Sequence, residues 1–251
     1  SIQISGYSEG TDYTISQNEN GFVVTFNNMV DKKFNLSYST EFDYDAREDK
    51  SVNKLPNRVK LDWNDSDNDA QTISVEKKFV PASYTQQNGF KSGSYNAVSK
   101  EITWSVGLNY NLQTYAEPAV VDYIQGNQQL LEDSITVYEM KLNSGSNDVE
   151  KGNVLQAGTD YELNMVTSPS DESGFKISFP EDNNTPYLVE YKTSLKDLLI
   201  EKEYNNTATV LNNEKEVTTL DAKVSVLNGG EYTDKSGEQK GEKIEWTVNL
   251  N

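Results

Sequence analysis

Neither cysteine nor histidine occurs in this 251-residue chain. Without cysteine there is no disulfide and no thiolate, and without histidine the commonest general base and the commonest transition-metal ligand are missing. Both absences argue against an ordinary hydrolase. Positive charge is scarce as well: 22 Lys and Arg stand against 40 Asp and Glu, a formal net of −18. Nucleic acid and anionic membranes are therefore poor partners, and cations or basic protein surfaces better ones. No apolar run approaches the roughly 20 residues of a membrane span, and neither an initiating Met nor a signal-like segment heads the sequence. The expectation is a mature or excised piece of a longer secreted protein. Helical periodicity is confined to 193–203, where Leu195, Leu198, Leu199 and Ile200 fit either one helical turn or a loop between strands.

What is present is repetition. Ile102-Thr-Trp104-Ser-Val106-Gly-Leu108-Asn109 returns as Ile244-Glu-Trp246-Thr-Val248-Asn-Leu250-Asn251, an offset of 246 − 104 = 142. Apolar residues fall on every second position, the pattern of a strand with one face in a core. Other pairs follow at similar distances: Gly10-Thr-Asp-Tyr13 with Gly158-Thr-Asp-Tyr161, Phe34 to Thr40 with Tyr187 to Thr193, and Asn57-Arg-Val59 with Asn206-Thr-Ala208. A period near 150 implies units of domain size. Fifteen Tyr with short alternating segments between Gly, Asn and Asp favour an all-β sandwich.

The blocks divide the chain into 1–72, the later part of one sandwich unit; 73–213, a complete unit; and 214–251, the opening strands of a further one. Strands are predicted near 11–16, 21–27, 33–40, 57–63, 72–79, 101–109, 117–124, 134–141, 160–165, 174–179, 186–193 and 205–211. The polar stretch 81–100 reads as a long exposed loop. The two end segments are not expected to be autonomous, because unpaired strand edges associate.

The order and spacing of Val75-Glu-Lys77, Ile102 to Val106, Val121-Asp122, Leu130 to Val137, Tyr187 to Thr193 and Tyr204 to Val210 resemble the immunoglobulin-like repeats of Gram-positive cell-wall adhesins, the collagen-adhesin type in particular. The resemblance implies immunoglobulin-like β-sandwich repeats on a secreted protein of the cell wall and cell surface. It also implies an intramolecular isopeptide bond between Lys and Asn, promoted by a buried acid.

Three residues are candidates for that bond. Lys77 shares its alternation with Ile73, Val75 and Phe79, so it is predicted to point inward; a slip of one residue would put Lys78 there instead. Asp122 lies in an apolar strand after Val120 and Val121, and Asn206 shares a face with Ala208 and Val210. The simpler reading of the same residues is a buried ion pair satisfied by an Asn.

Asp65-Ser-Asp67-Asn-Asp69 followed by Glu76 places carboxylates at positions one, three, five and twelve of a loop, as calcium ligation requires. Ala70 stands where an EF-hand needs Gly and no helices flank the loop, so the expectation is a looser calcium site or a solvated acidic turn. No cofactor is otherwise required. Carboxylate pairs for glycoside cleavage, drawn from Asp43, Asp45, Glu132 or Asp133, arise by chance in so acidic a chain. Trp63 and surface Tyr could line a groove.

The sequence thus reads as a non-enzymatic structural or adhesive module, a stalk or fibre. An adhesin head recognising a host matrix protein or glycan is the alternative, and a polysaccharide-acting enzyme the weakest. Neighbouring repeat domains, or other copies of the chain, are the expected partners.

Overall fold

The computed structural model describes residues 2–19, 21–44, 46–47, 53–65 and 67–250, and almost all of its regular structure is strand. Asp45 and Asn251 lie outside the described residues. The chain forms two compact units, 1–48 and 49–251.

The first unit contains β1 (Gln3–Ile4), β2 (Tyr13–Asn18), β3 (Gly21–Phe26) and β4 (Leu36–Ser37), with β1 antiparallel to β4 and β2 to β3. Its packing is aromatic: Tyr7 meets Phe26 and Phe34 edge-on, at ring centroid distances of 5.4 and 5.8 Å.

The second unit opens with a hairpin of β5 (Leu55–Asn64) and β6 (Ala70–Phe79), almost wholly exposed. A short helix, α1 (Ser83–Gln86), leads into ten strands: β7 (Gly89–Asn96), β8 (Glu101–Leu108), β9 (Pro118–Tyr123), β10 (Gln129–Leu142), β11 (Val149–Val154), β12 (Glu162–Thr167), β13 (Ser173–Ser178), β14 (Tyr187–Ser194), β15 (Glu203–Asn212) and β16 (Lys215–Ser225). They make two five-stranded antiparallel sheets, ordered β11-β10-β14-β8-β7 and β12-β13-β9-β15-β16. A final hairpin follows, β17 (Thr233–Lys240) with β18 (Lys243–Leu250).

The ten strands form an immunoglobulin-like sandwich, because their alternating residues supply both inner faces. Ile102, Trp104 and Val106 of β8 and Val189 and Tyr191 of β14 meet Val120 of β9, Phe175 and Ile177 of β13 and Ala208 of β15 in one core. Trp104 Nε1 donates to Thr193 Oγ1 at 3.1 Å and Thr193 Oγ1 donates to Gln128 Oε1 at 2.6 Å, so this buried polar chain is satisfied. Residues 195–200 form a loop and not a helical turn, with Leu195 fully buried.

The sandwich is displaced from the predicted 73–213. Its first strand is β7, inside the stretch predicted to be a loop, whereas 73–79 pairs with β5 in the exposed hairpin and 215–225 closes the second sheet as β16. The reason for missing β7 is compositional. Its inward side carries Gly89, Lys91, Gly93 and Tyr95, with no aliphatic residue to show the alternation.

The internal repeat has a structural counterpart in two turns. Ser8 N donates to Asp12 Oδ2 at 2.7 Å and Gln156 N to Asp160 Oδ2 at 2.8 Å, and a parallel bridge follows in each, Glu9 with Tyr13 and Ala157 with Tyr161.

Candidate functional site

Between the two sheets lies the cluster that sets this sandwich apart from a plain apolar core. β9 pairs with β15 so that Asp122 faces Ala208, which brings Asn206, two residues earlier on β15, diagonally beside Asp122. From the opposite sheet β7 delivers Lys91, and β14 delivers Tyr191. Lys91 and Asp122 are the only charged residues buried among those described, and both side chains are fully enclosed.

The hydrogen bonds converge on the Tyr191 hydroxyl. Lys91 Nζ donates to Asp122 Oδ2 and, at 3.0 Å, to Tyr191 Oη. Tyr191 Oη donates to Asp122 Oδ2 at 2.7 Å and accepts from Asn206 Nδ2 at 2.7 Å. Two buried acceptors in the cluster, Asp122 Oδ1 and Asn206 Oδ1, have no donor. A buried acceptor without a donor costs about 1 to 3 kcal/mol. A proton on the Asp122 carboxyl would turn one of these oxygens into a donor.

Electrostatics favour that proton. Burial pushes the Lys91 amine below the ordinary lysine range, opposed by the charge and hydrogen bond of Asp122. Burial likewise pushes the Asp122 carboxyl above the ordinary carboxylate range, opposed by Lys91, Tyr191 and Asn206. Each shift favours the neutral form, and taking a charged pair out of water costs several kcal/mol per ion. The arrangement is an amine, an acid and a carboxamide enclosed together between the sheets, with burial acting toward the neutral form of the first two.

Asp122 and Asn206 occupy the inward positions expected from their strands, but Lys77 and Lys78 do not join them. Both are exposed on β6, with Lys77 opposite Asn57 and Lys78 Nζ 4.0 Å from Glu76. Alternation correctly marks β6 as a strand, but both faces of this hairpin are exposed, its apolar side included. The amine at the site is Lys91. The signal that reveals it is a short repeat, Lys91-Ser92-Gly93 with Lys235-Ser236-Gly237, at an offset of 235 − 91 = 144, close to that of the two Trp residues.

The carboxylate at the head of the acidic loop is engaged within its own turn. Asp65 Oδ1 accepts from the backbone N of Asp67 and of Asp69, both at 3.0 Å, and Oδ2 from Gln71 at 2.8 Å. Glu76 lies farther along the hairpin, in an ion pair with Arg58 at 2.9 Å. Asp65 is spent on its own turn, and among the described residues no group of three or more acidic side chains converges on a metal position. Asp43, Glu132 and Asp133 are exposed.

A family model described as collagen binding domain matches residues 86–221. The chain belongs to that family. The match spans 221 − 86 + 1 = 136 residues, from just before β7 into β16, and so contains the whole cluster. Solved structures similar to this collagen binding domain chain include the collagen-binding subdomain of the Enterococcus faecalis surface protein ACE, at 18% identity and TM-score 0.40, covering 55% of this chain and 96% of that one. The collagen-binding domain from a Staphylococcus aureus adhesin gives 16% and 0.35, with 55% and 95% covered. The collagen adhesin CNA of S. aureus gives 14% and 0.41, with 100% and 80% covered. No curated protein matches. The family is one of adhesive, non-enzymatic domains.

Proposed function

We propose that the chain is an adhesive module of a Gram-positive surface protein that holds an extracellular matrix protein of the collagen class, and that its sandwich is locked by an amide bond between Lys91 and Asn206. The observation that carries the bond is the enclosure of Lys91, Asp122 and Asn206 together, where burial acts against both charges; membership of the collagen binding domain family carries the adhesive part.

The chemistry follows from the neutral forms. The Lys91 lone pair adds to the Asn206 carboxamide carbon while a proton from Asp122 supports the oxygen. With the Asp122 proton on the oxygen, the added nitrogen loses its extra proton to the Asp122 carboxylate, which passes it on to Nδ2; the old C–N bond then breaks, ammonia leaves and the oxygen's proton returns to Asp122. One amine and one primary amide give one secondary amide and ammonia, with Asp122 restored. Packing supplies the effective concentration and the proton path, so no outside enzyme is required.

A wild-type mass lower than the sequence mass by one ammonia is expected, with the full mass in Lys91→Ala, Asn206→Ala and Asp122→Ala. An undiminished wild-type mass refutes the bond. Saturable retention on immobilised collagen tests the adhesive part, and its absence would leave a spacer.

A further inference from the structure

We infer that Tyr191 is a catalytic residue of the cross-linking site, the group that carries the proton from Asp122 to the departing nitrogen of Asn206. This rests on the amide-bond reading above and adds to it the route of the last proton.

The argument begins with what the hydroxyl touches. Tyr191 Oη has one proton and two lone pairs, and all three are used: the proton on Asp122 Oδ2, the lone pairs on Lys91 Nζ and Asn206 Nδ2. It therefore contacts the nucleophile, the acid and the leaving group at once. The Nδ2 hydrogen bond runs to this hydroxyl at 2.7 Å, which fixes the carboxamide orientation and leaves Oδ1 as the end without a donor. The ring is held as firmly as its hydroxyl. Tyr191 is fully buried, edge-on to Phe175 at 4.9 Å between centroids and opposite Trp104 across β14 and β8.

The direction of these bonds must reverse during the reaction. An amide nitrogen is a donor with no basic lone pair, so before addition Tyr191 can only accept from it. Once Lys91 has added to the carbon, Nδ2 becomes a tetrahedral amine and its lone pair becomes basic. The O–H of Tyr191 then swings from Asp122 Oδ2 to Nδ2 and gives up its proton, while Asp122, carrying the proton lost by Lys91, reprotonates the phenol oxygen. The C–Nδ2 bond breaks, ammonia leaves and the proton lent to the carbonyl oxygen returns to Asp122, so that tyrosine and acid end as they began. The phenol is protonated throughout the resting state, since burial and the neighbouring Asp122 push its ionisation well above the ordinary tyrosine value.

Tyr191→Phe removes the hydroxyl and keeps the ring, which separates the relay from packing. The full chain is made by cell-free translation, quenched in denaturant at intervals and weighed intact, so that loss of ammonia is followed from synthesis. The relay requires Tyr191→Phe to close at least about a hundredfold more slowly than wild type, in the range expected for a lost acid–base group. It also requires wild-type-like far-UV circular dichroism and a cooperative melt in that variant. Equal rates in the two proteins overturn the relay and leave the bond standing. A wild-type chain that never loses ammonia overturns the bond itself and the relay with it. If Tyr191→Phe does not fold, wild-type sequence made with 3-fluorotyrosine decides: the more acidic hydroxyl speeds closure severalfold if it transfers its proton, and an unchanged rate overturns the proposal.

Discussion

The hairpins β7–β8 and β17–β18 are two versions of one object with opposite surroundings. In each a lysine sits two residues before a glycine that pairs with tryptophan: Gly93 with Trp104 and Lys91 with Val106 in the first, Gly237 with Trp246 and Lys235 with Val248 in the second. In each the amine lies over the indole, at 5.6 Å for Lys91 and 4.7 Å for Lys235. The local sequence therefore specifies strand, register and lysine position alike. The difference is the cover. Trp104 is 0% exposed beneath the second sheet, and Trp246 is 61% exposed. The enclosure and hydrogen bonds of Lys91 belong to what β9, β14 and β15 place around it.

The largest contrast should come from the lysines themselves. Lys91→Met should abolish the ammonia deficit, whereas Lys235→Met should leave it unchanged. The bond would close a loop of 206 − 91 = 115 residues, and by the chain-entropy argument used for disulfides a loop near 100 residues is worth about 4.7 kcal/mol. For a unit of this size that is roughly 10 to 20 °C of melting temperature, lost in Lys91→Met and kept in Lys235→Met. Closure should also be bell-shaped in pH. It requires one proton shared by the pair: below the lower apparent pKa both groups hold a proton and the amine is charged, and above the upper one the acid has none to give. A monotonic rise with pH would mean that Asp122 acts only as a base.

The same comparison marks what the sequence could reveal. The all-β sandwich was legible from alternation in Ile102 to Leu108, Pro118 to Tyr123 and Tyr187 to Thr193, and so were the inward positions of Asp122 and Asn206, because apolar neighbours share their faces. Lys91 was hidden because Gly89 and Gly93 replace the aliphatic residues that would have marked its face, Gly89 admitting the backbone of Gly107 and Gly93 the ring of Trp104. Lys77 carries an inward-facing signal for the converse reason, although it is exposed on β6. Ile73, Val75 and Phe79 alternate as core residues do, yet all three are exposed. Alternation reports which residues share a face and is silent on what covers it. Tyr191 had no linear signal, since its partners lie 15, 69 and 100 residues away.

Next in size are the indoles. Trp104→Ala should cost about 3 to 5 kcal/mol, because it opens a cavity in the core and strips Thr193 of its donor. Trp246→Ala should change the melting of the sandwich by less than about 0.5 kcal/mol, as an exposed substitution does. A comparable loss in both would mean that β17–β18 is packed as tightly as β7–β8, and the contrast between the hairpins would collapse.

The smallest expected effect concerns the two glycines, and it isolates cover from local geometry. A Cβ placed on Gly93 would lie 2.7 Å from Trp104 Cε3 and Cζ3, and one on Gly237 would lie 2.7 Å from the same two atoms of Trp246. Neither glycine has the positive φ that would penalise alanine through the backbone, so the clash with the ring is the whole local difference. At Gly93 the indole is enclosed and Val224 blocks the added methyl from the facing strand, so relief requires moving packed side chains at about 1 to 3 kcal/mol. At Gly237 the indole can tilt into solvent, and the cost should fall to a few tenths of a kcal/mol. Gly93→Ala should therefore lower the melting temperature and slow loss of ammonia by disturbing Lys91 two residues away, and Gly237→Ala should do neither. Equal costs at the two positions would place the penalty in the hairpin itself and not in the sheet above it.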